Sequence, residues 1–154
     1  MRLVIQRVSS AQVKSEGELC GKINHGYMVL VGIAKGDTPE IVEKVANKLI
    51  GLRINDDAEG KMNLSIEDVG GSILSVSQFT LYANCRKGNR PGFDLAAGPK
   101  EAEELYEYFN KLLRDRGLVV ETGRFQTEMQ VTLSNEGPIT IILDSEDLLK
   151  PKNG

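Results

Sequence analysis

The most restrictive feature of this chain is a near-continuous apolar run at residues 27–33, which directly follows a turn signal formed by Asn24, His25 and Gly26. A short, continuous apolar run is typical of a β-strand that is buried on both faces. Residues 1–8 alternate in side-chain type, as a strand with one buried face does. The chain is therefore expected to place at least one strand inside a sheet that has both faces covered.

Two later segments place apolar residues at helical spacing. The first begins at the run Asp37-Thr38-Pro39, where either of the first two residues can cap a helix and the proline suits its first turn. We expect this helix to end at Gly51. The second helix begins at Pro99 and is expected to end near Gly117, because glycine commonly terminates helices.

The remaining apolar segments have the alternation and the turn-forming flanks of strands. They are residues 19–23, 72–81, 118–121, 127–133 and 139–143, while residues 11–14 continue the strand that begins at the N-terminus. The order of elements is then strands, helix, strands, helix, strands. We predict a mixed α/β (α+β-like) fold in which mostly antiparallel sheets form a barrel-like core with two main helices. One domain should span residues 1–150, followed by a frayed tail at residues 151–154.

Charge and hydropathy restrict the partners and the compartment. The net charge is -3, so a nucleic acid would have to be bound by a local basic cluster. Arg86, Lys87 and Arg90 form such a cluster in a long loop predicted at residues 83–98. The apolar runs are too short to span a bilayer, and the N-terminus has no signal-peptide pattern. We therefore expect a cytoplasmic protein with no membrane partner.

The chain contains little conventional catalytic machinery. Its one histidine, His25, falls in a predicted turn, where solvent exposure is a simpler interpretation than a role as general base. Cys20 and Cys85 form no CxxC pair and read as free thiols; with one histidine they cannot supply a tetrahedral zinc site. Neither a P-loop nor a GxSxG esterase motif is present. We expect no metal and no cofactor.

Two polar segments are not explained by packing of a hydrophobic core. Ser77, Gln78 and Thr80 fall at a predicted strand end beside the basic loop, although an ordinary strand end explains them when they are read alone. Residues 134–140 combine Asn, Gly and Pro, which are typical of a tight turn between strands. A cis bond at Gly137-Pro138 is the other interpretation, and it would aim two carbonyl groups in nearly the same direction.

Together the two segments resemble the signature motifs of the D-aminoacyl-tRNA deacylase family. The SQxxLxx pattern appears as Ser77-Gln78-Phe79-Thr80-Leu81-Tyr82-Ala83, and the NxGPxT pattern appears as Asn135-Glu136-Gly137-Pro138-Ile139-Thr140. The first eight residues, the basic loop and Thr122-Gly123-Arg124-Phe125 are also similar to the family, in the same order. One departure is Gln126-Thr127, where the family more usually has Gly and Ala.

This resemblance implies a homodimer that hydrolyses the ester between a D-amino acid, or glycine, and the 3′ end of tRNA. A cis Gly137-Pro138 bond would enter the active site of the partner subunit and exclude L side chains. Arg7 would hold this motif in place, and Asn135 would belong to the same substrate-binding region. The basic cluster Arg86, Lys87 and Arg90 is then expected to contact the tRNA.

The resemblance also assigns the chemistry of the site. The segment Ser77, Gln78, Phe79 and Thr80 would bind the scissile ester, partly through main-chain N–H groups that act as an oxyanion site. The weaker assignments are Phe125 and Met129, which would line the pocket of the terminal adenosine. Bond breaking would be assisted by the terminal 2′-hydroxyl of the tRNA itself, which suits a chain almost free of histidine.

Three alternatives remain open from the sequence. Within the family, Thr80 is the rival catalytic group, as a covalent nucleophile, although no activating His or Lys is evident. A different class of function is a non-catalytic RNA-binding module built around the basic cluster. A third class is a small-molecule esterase with the same fold.

Overall fold

The computed structural model describes residues 1–152, and the last two residues of the predicted tail, 153 and 154, lie outside the described residues. The described part forms eight strands, three α-helices and one 3₁₀ helix at Phe79–Tyr82. The strands are Arg2–Ser15 (β1), Glu18–Ile23 (β2), Gly26–Gly32 (β3), Asn55–Asp56 (β4), Met62–Leu64 (β5), Ser72–Ser77 (β6), Val120–Thr122 (β7) and Met129–Asp144 (β8). The helices are Pro39–Gly51 (α1), Pro99–Asp115 (α2) and Ser145–Leu149 (α3).

The long strand β1 organises the main sheet. One edge of β1 pairs antiparallel with β3 and then with β2, and its other edge pairs antiparallel with β8. β6 adds parallel to β3, and β7 adds parallel to β6. The sheet curls until β2 lies against β7, where a Cβ built on Gly21 would be 3.0 Å from the Thr122 carbonyl oxygen. The predicted mixed α/β fold with a barrel-like core is confirmed, and two of its pairings are parallel.

The strand β3 buries apolar side chains on both faces, as its sequence predicts. Tyr27, Val29 and Val31 pack in the larger core cluster, between the sheet and helices α1 and α2. Met28 belongs to a second cluster inside the barrel, together with Val8, Val13, Leu74 and Val76. The fold is thus one curled sheet with a filled interior and helices on its outer face.

Both long helices begin at the predicted prolines. The hydroxyl of Thr38 caps α1 by accepting from the Ile41 N–H, and α1 ends at Gly51. The helix α2 ends two residues before Gly117, whose φ of +89° suits glycine. The third helix α3 and the β4–β5 hairpin are absent from the sequence prediction, because each is too short to leave a periodic pattern.

Two predicted strand boundaries are wrong. The strand predicted at residues 72–81 ends at Ser77, because the chain turns into the 3₁₀ helix there. The two strands predicted at residues 127–133 and 139–143 are one strand, β8. β8 keeps its pairing with β1 on both sides of a bulge, so residues 136–139 interrupt the alternation without ending the strand.

Candidate active site

A cavity of about 790 Å³ opens where β6 ends. Its walls come from the ends of β3 and β6, the beginning of β8, the beginning of α2 and the adjoining loops. A mostly apolar cavity with a few polar groups is typical of a small-molecule or cofactor site. Five predicted site residues line it: Ser77, Gln78, Phe79, Phe125 and Met129.

The main chain at the end of β6 supplies free hydrogen-bond donors beside this cavity. Ser77 pairs with Val31, and the Gln78 N–H donates to the Val31 carbonyl oxygen at 2.8 Å. The first N–H groups of the 3₁₀ helix that follows have no partner within that helix. Among the described residues, the amides of Phe79 and Thr80 have no main-chain acceptor. They are available to an oxygen atom of a ligand.

The polar side chains at this strand end bind each other. The Nε2 of Gln78 donates to the Oγ1 of Thr80, and Thr80 does not itself line the cavity. His25 is exposed, as predicted, and lies beyond the opposite end of β6, where its carbonyl oxygen accepts from the Ser72 N–H. The hydroxyl of Thr80 therefore has an amide rather than a base as its partner.

Aromatic rings and one cation lie around the cavity. The rings of Phe79 and Phe93 meet edge to face, with their centroids 4.9 Å apart, and both rings are partly exposed. Of the described residues that line the cavity, Lys35 alone is charged. An anionic group of a ligand would therefore find its electrostatic partner at Lys35.

The predicted basic cluster lies outside the cavity. Paired main-chain hydrogen bonds between Asn84 and Gly92 close the loop that carries it. Arg86, Lys87 and Arg90 are all exposed in this loop, and none of them lines the cavity. The cluster can contact a large polyanion next to the cavity, but not a small ligand inside it.

A second wall of the cavity is built by Phe125 and Met129. The ring of Phe125 lies 6.2 Å from that of Tyr106 in α2, measured between centroids. Met129 is the first residue of β8 and packs with the apolar cluster inside the barrel. These two side chains give the cavity an apolar surface suited to a flat ring.

The departure from the family pattern lies between these two wall residues. Gln126 has a φ of +61°, in the left-handed region that glycine adopts most readily. Thr127 is fixed by two hydrogen bonds, because it accepts from the Ser15 hydroxyl at 2.7 Å and donates to the Arg124 carbonyl at 2.9 Å. A Gly at position 126 fits this backbone better than the Gln that is present.

The second predicted motif forms the bulge of β8. Asn135 closes the bulge, because its Nδ2 donates to the Thr140 Oγ1 and its Oδ1 accepts from the Ile139 N–H, each at 3.1 Å. The Gly137-Pro138 peptide bond is cis, and both residues are exposed. Gly137 has a φ of +125°, and a Cβ built on it would lie 2.8 Å from the Ile139 Cγ1. The bulge thus presents its tip to solvent.

Arg7 contacts this bulge from β1. Its Nη1 donates to the Ile54 carbonyl oxygen at 2.8 Å and to the Asp56 Oδ1 at 3.3 Å. Its Nε lies 3.4 Å from the Glu136 Oε1. The guanidinium therefore joins the bulge to the segment that follows α1.

In one chain the bulge and the cavity are separate. Arg7 pairs with Tyr27 of β3, whereas Ser77 pairs with Val31, four residues further along the same strand. Four residues of strand correspond to roughly 13 Å. Residues 136–139 contribute nothing to the cavity lining. A single chain therefore does not bring the two predicted motifs into one site.

Residues 1–152 contain neither a metal-binding cluster nor a membrane-spanning helix. No group of three or more His, Cys, Asp and Glu side chains there is arranged to hold a metal ion. No helix in the same range has the length and apolar character that crossing a bilayer requires. Cys20 and Cys85 are free thiols.

Three residues at the cavity and the bulge have no role predicted from the sequence. Lys35 and Phe93 join the cavity only through the tertiary fold, because each lies in a loop without periodic signal. Glu136 occupies the variable position of its motif, yet it is the residue that approaches Arg7. Of the three, only Glu136 carries a signal in the sequence, because an acidic residue inside the motif is a natural partner for the cation Arg7.

The sheet order, the bulge in β8 and the cavity at the end of β6 define a small mixed α/β protein with a cavity between strand ends and α2. The family model described as D-Tyr-tRNA(Tyr) deacylase matches residues 4–144. The chain belongs to this family.

The chain is similar to curated relatives over nearly its whole length. It is 58% identical over 145 residues to a D-aminoacyl-tRNA deacylase of Brevibacillus brevis, which covers 94% of this chain and 100% of that protein. It is 53% identical over 148 residues to a D-aminoacyl-tRNA deacylase of Thermotoga petrophila, with 96% and 99% covered.

Two solved structures are also similar. One is described as a c-Myc DNA unwinding element binding protein, with a TM-score of 0.88, 40% identity, and coverage of 94% of this chain and 98% of that chain. The other is described as a probable eukaryotic D-amino acid tRNA deacylase, with a TM-score of 0.79, 18% identity, and coverage of 92% and 97%. At 18% identity this second structure shares the fold.

Proposed function

We propose that this protein is a D-aminoacyl-tRNA deacylase, which cleaves the ester between a D-amino acid and the 3′-terminal ribose of tRNA. The observation that carries the proposal is the cavity with two unpaired main-chain amides at its edge, in a chain 58% identical to a protein of that name. Glycyl-tRNA, whose amino acid has no side chain, is a second substrate of the same site. Because the substrate is charged tRNA, we place the enzyme in the cytoplasm.

The amides of Phe79 and Thr80 would hold the carbonyl oxygen of the ester. Attack on an ester carbonyl places negative charge on that oxygen, and preorganised N–H donors stabilise this charge. Removing one donor of such a site typically lowers the rate about 10²–10³-fold. Ser77 and Gln78 precede these amides and line the cavity, so they would position the acyl group.

The rest of the cavity would hold the terminal nucleotide. Phe125 and Met129 offer an apolar wall for the adenine ring, and aromatic and apolar surfaces stack well on nucleobases. Lys35 would approach the phosphate that links the last two nucleotides. The exposed loop with Arg86, Lys87 and Arg90 would contact the acceptor stem, since phosphate contacts supply much of RNA affinity.

The site would be completed by a second copy of the chain. Within the described residues β8 pairs only with β1, so its outer edge is unpaired over a strand of 16 residues. Ile142 on this strand is 67% exposed, and Gly137 and Pro138 are exposed at the bulge. An unpaired edge with exposed apolar groups is suited to a symmetric dimer. In that homodimer each bulge would reach the cavity of the partner.

Gly137 and Pro138 would then select the stereochemistry of the substrate. Main-chain groups placed against the α-carbon leave room for a hydrogen atom and exclude the side chain of an L-amino acid. This kind of exclusion does not depend on which D side chain is present. The enzyme would therefore accept several D-amino acids, and glycine, at one site.

The bond-breaking step would use the substrate's own 2′-hydroxyl. No imidazole lies at the cavity, and the Thr80 hydroxyl is bound to Gln78. The 2′-hydroxyl next to the ester would relay a proton from an attacking water molecule to the departing 3′ oxygen, so that water adds to the carbonyl and the ester bond breaks. The protein would supply position and electrostatic stabilisation. Catalysis would depend on RNA as well as on protein.

Two substrates distinguish this proposal from the other two classes of function. Purified protein should release tyrosine from D-tyrosyl-tRNA and leave D-tyrosine methyl ester intact. Equal cleavage of the methyl ester would indicate a small-molecule esterase. Binding of the charged tRNA without release of tyrosine would indicate an RNA-binding module.

A further inference from the structure

The bulge of β8 is fixed unevenly on its two sides. Between the pairs Val8–Asn135 and Gln6–Thr140, four residues of β8 face a single residue of β1, which is Arg7. The side chain of Asn135 forms hydrogen bonds with the C-terminal side of the bulge, at Ile139 and Thr140. On the N-terminal side of the bulge, Glu136 forms an ion pair with Arg7.

Arg7 is a buried cation that depends on these neighbours. Its residue surface is 5% exposed, and its Nε has no hydrogen-bond partner in the described chain. A buried guanidinium is destabilising unless nearby charges and acceptors compensate it. Glu136 Oε1 at 3.4 Å and Asp56 Oδ1 at 3.3 Å are the two carboxylates that do so. They come from two segments that are otherwise independent.

The Asp56 side of this arrangement is anchored in the core. The adjacent Asn55 is buried, and its Nδ2 donates to the Tyr27 hydroxyl at 2.8 Å and to the Leu64 carbonyl at 3.2 Å. Burial raises the pKa of Tyr27 to about 12, against smaller opposing effects of Asn55 and Arg7, so its phenol is neutral. The guanidinium thus connects a rigid hairpin to the exposed bulge.

We propose that Glu136 and Asp56 are positioning residues that act through Arg7 to hold Gly137 and Pro138 at a fixed place, and that this placement determines how strongly L substrates are excluded. The inference rests on the proposed function, because it assigns these residues to the stereochemical filter. Neither carboxylate lines the cavity.

The first test is the ratio of kcat/KM for D- and L-tyrosyl-tRNA in Glu136→Gln and Asp56→Asn. Both residues are partly exposed, so these variants should fold. In Glu136→Gln we expect the D-to-L ratio to fall about tenfold, mainly through faster L hydrolysis, because the variant removes one of the two carboxylate charges beside the buried guanidinium. Asp56→Asn should lower the ratio in the same direction.

Glu59→Gln is the matched control, because Glu59 is an exposed carboxylate in the neighbouring hairpin turn. It should leave the ratio unchanged. A parallel fall of the D and L rates in Glu136→Gln, or a ratio equal to that of Glu59→Gln, would overturn the proposal.

Hydrogen exchange separates this inference from the proposed function. In Glu136→Gln the amides of residues 136, 137 and 139 should exchange several-fold faster, while the amides of β3 keep their protection. Unchanged exchange at the bulge would overturn the positioning role whatever the activity. If the wild-type protein cleaves neither D- nor L-tyrosyl-tRNA, the proposed function is wrong. Hydrogen exchange then still shows whether Glu136 holds the bulge in place.

Discussion

The side-chain amide of Gln78 donates a hydrogen bond to the hydroxyl oxygen of Thr80. The partner of this hydroxyl is a donor and cannot accept its proton, and the one imidazole of the chain lies beyond the other end of β6. In the proposed mechanism the strand end therefore acts through its main-chain donors. The threonine hydroxyl has a supporting role.

Replacement of Thr80 by Ala tests this reading. The variant keeps the main-chain amide at position 80, so kcat/KM for D-tyrosyl-tRNA should fall by less than about tenfold. Loss of a covalent nucleophile commonly lowers kcat by about 10⁴-fold or more. Single-turnover deacylation measures the rate, and mass spectrometry of quenched wild-type reactions should detect no acylated Thr80. A trapped acyl-Thr80 adduct would contradict the RNA-assisted mechanism.

Removal of the 2′-hydroxyl from the substrate tests the role of the RNA. A tRNA that ends in 2′-deoxyadenosine and carries D-tyrosine at the 3′ position should be hydrolysed at least about 10²-fold more slowly, since a positioned proton-transfer group typically contributes this much. Binding of this substrate should be nearly unchanged in a competition assay. Hydrolysis at the normal rate would assign the chemistry to a protein group.

Gly137→Ala should disrupt the bulge. The added Cβ would lie 2.8 Å from the Ile139 Cγ1, and the φ of +125° is strained for alanine. We expect deacylation of D-tyrosyl-tRNA to fall strongly, with a loss of about 1–3 kcal/mol in the free energy of unfolding. Gly51→Ala is the control, because a Cβ there meets nothing within 4 Å at the end of α1. Normal activity in Gly137→Ala would remove this residue from the filter.

The shared site can be tested by mixing two inactive variants. Phe79→Pro removes one proposed donor at the first position of the 3₁₀ helix, where proline is tolerated. A mixed dimer of one Phe79→Pro chain and one Gly137→Ala chain has one complete site. The Gly137→Ala chain supplies its intact cavity, and the Phe79→Pro chain supplies its intact bulge. Refolding the two together should restore about a quarter of wild-type activity, because half of the dimers are mixed and each has one good site. Absence of any recovery would place the complete site within one chain.

The sequence predicts the parts of this fold that depend on local periodicity. The apolar run of β3, the proline starts of α1 and α2, and the exposed turn at His25 are all confirmed. The mixed, mostly antiparallel class also follows from the order of elements. These features need only neighbouring residues to be recognised.

The missed features depend on contacts across the fold. The interruption of β8 by residues 136–139 reads as a turn, because only the pairing with β1 on both sides reveals one continuous strand. Lys35 reaches the cavity through the packing of its loop against residues 95–97, which no local pattern predicts. The link between Arg7 and Glu136 joins positions far apart in sequence. The roles of the site residues are predictions that rest on these placements.

A competition between D- and L-tyrosyl-tRNA in one reaction, with the two tyrosines carrying different isotopes, measures the stereochemical selectivity of the protein directly. Wild-type protein should release D-tyrosine at least about a hundredfold faster than L-tyrosine, a difference of roughly 2.7 kcal/mol in transition-state stabilisation. Release of both tyrosines at the same rate, or of neither, would contradict the proposed function.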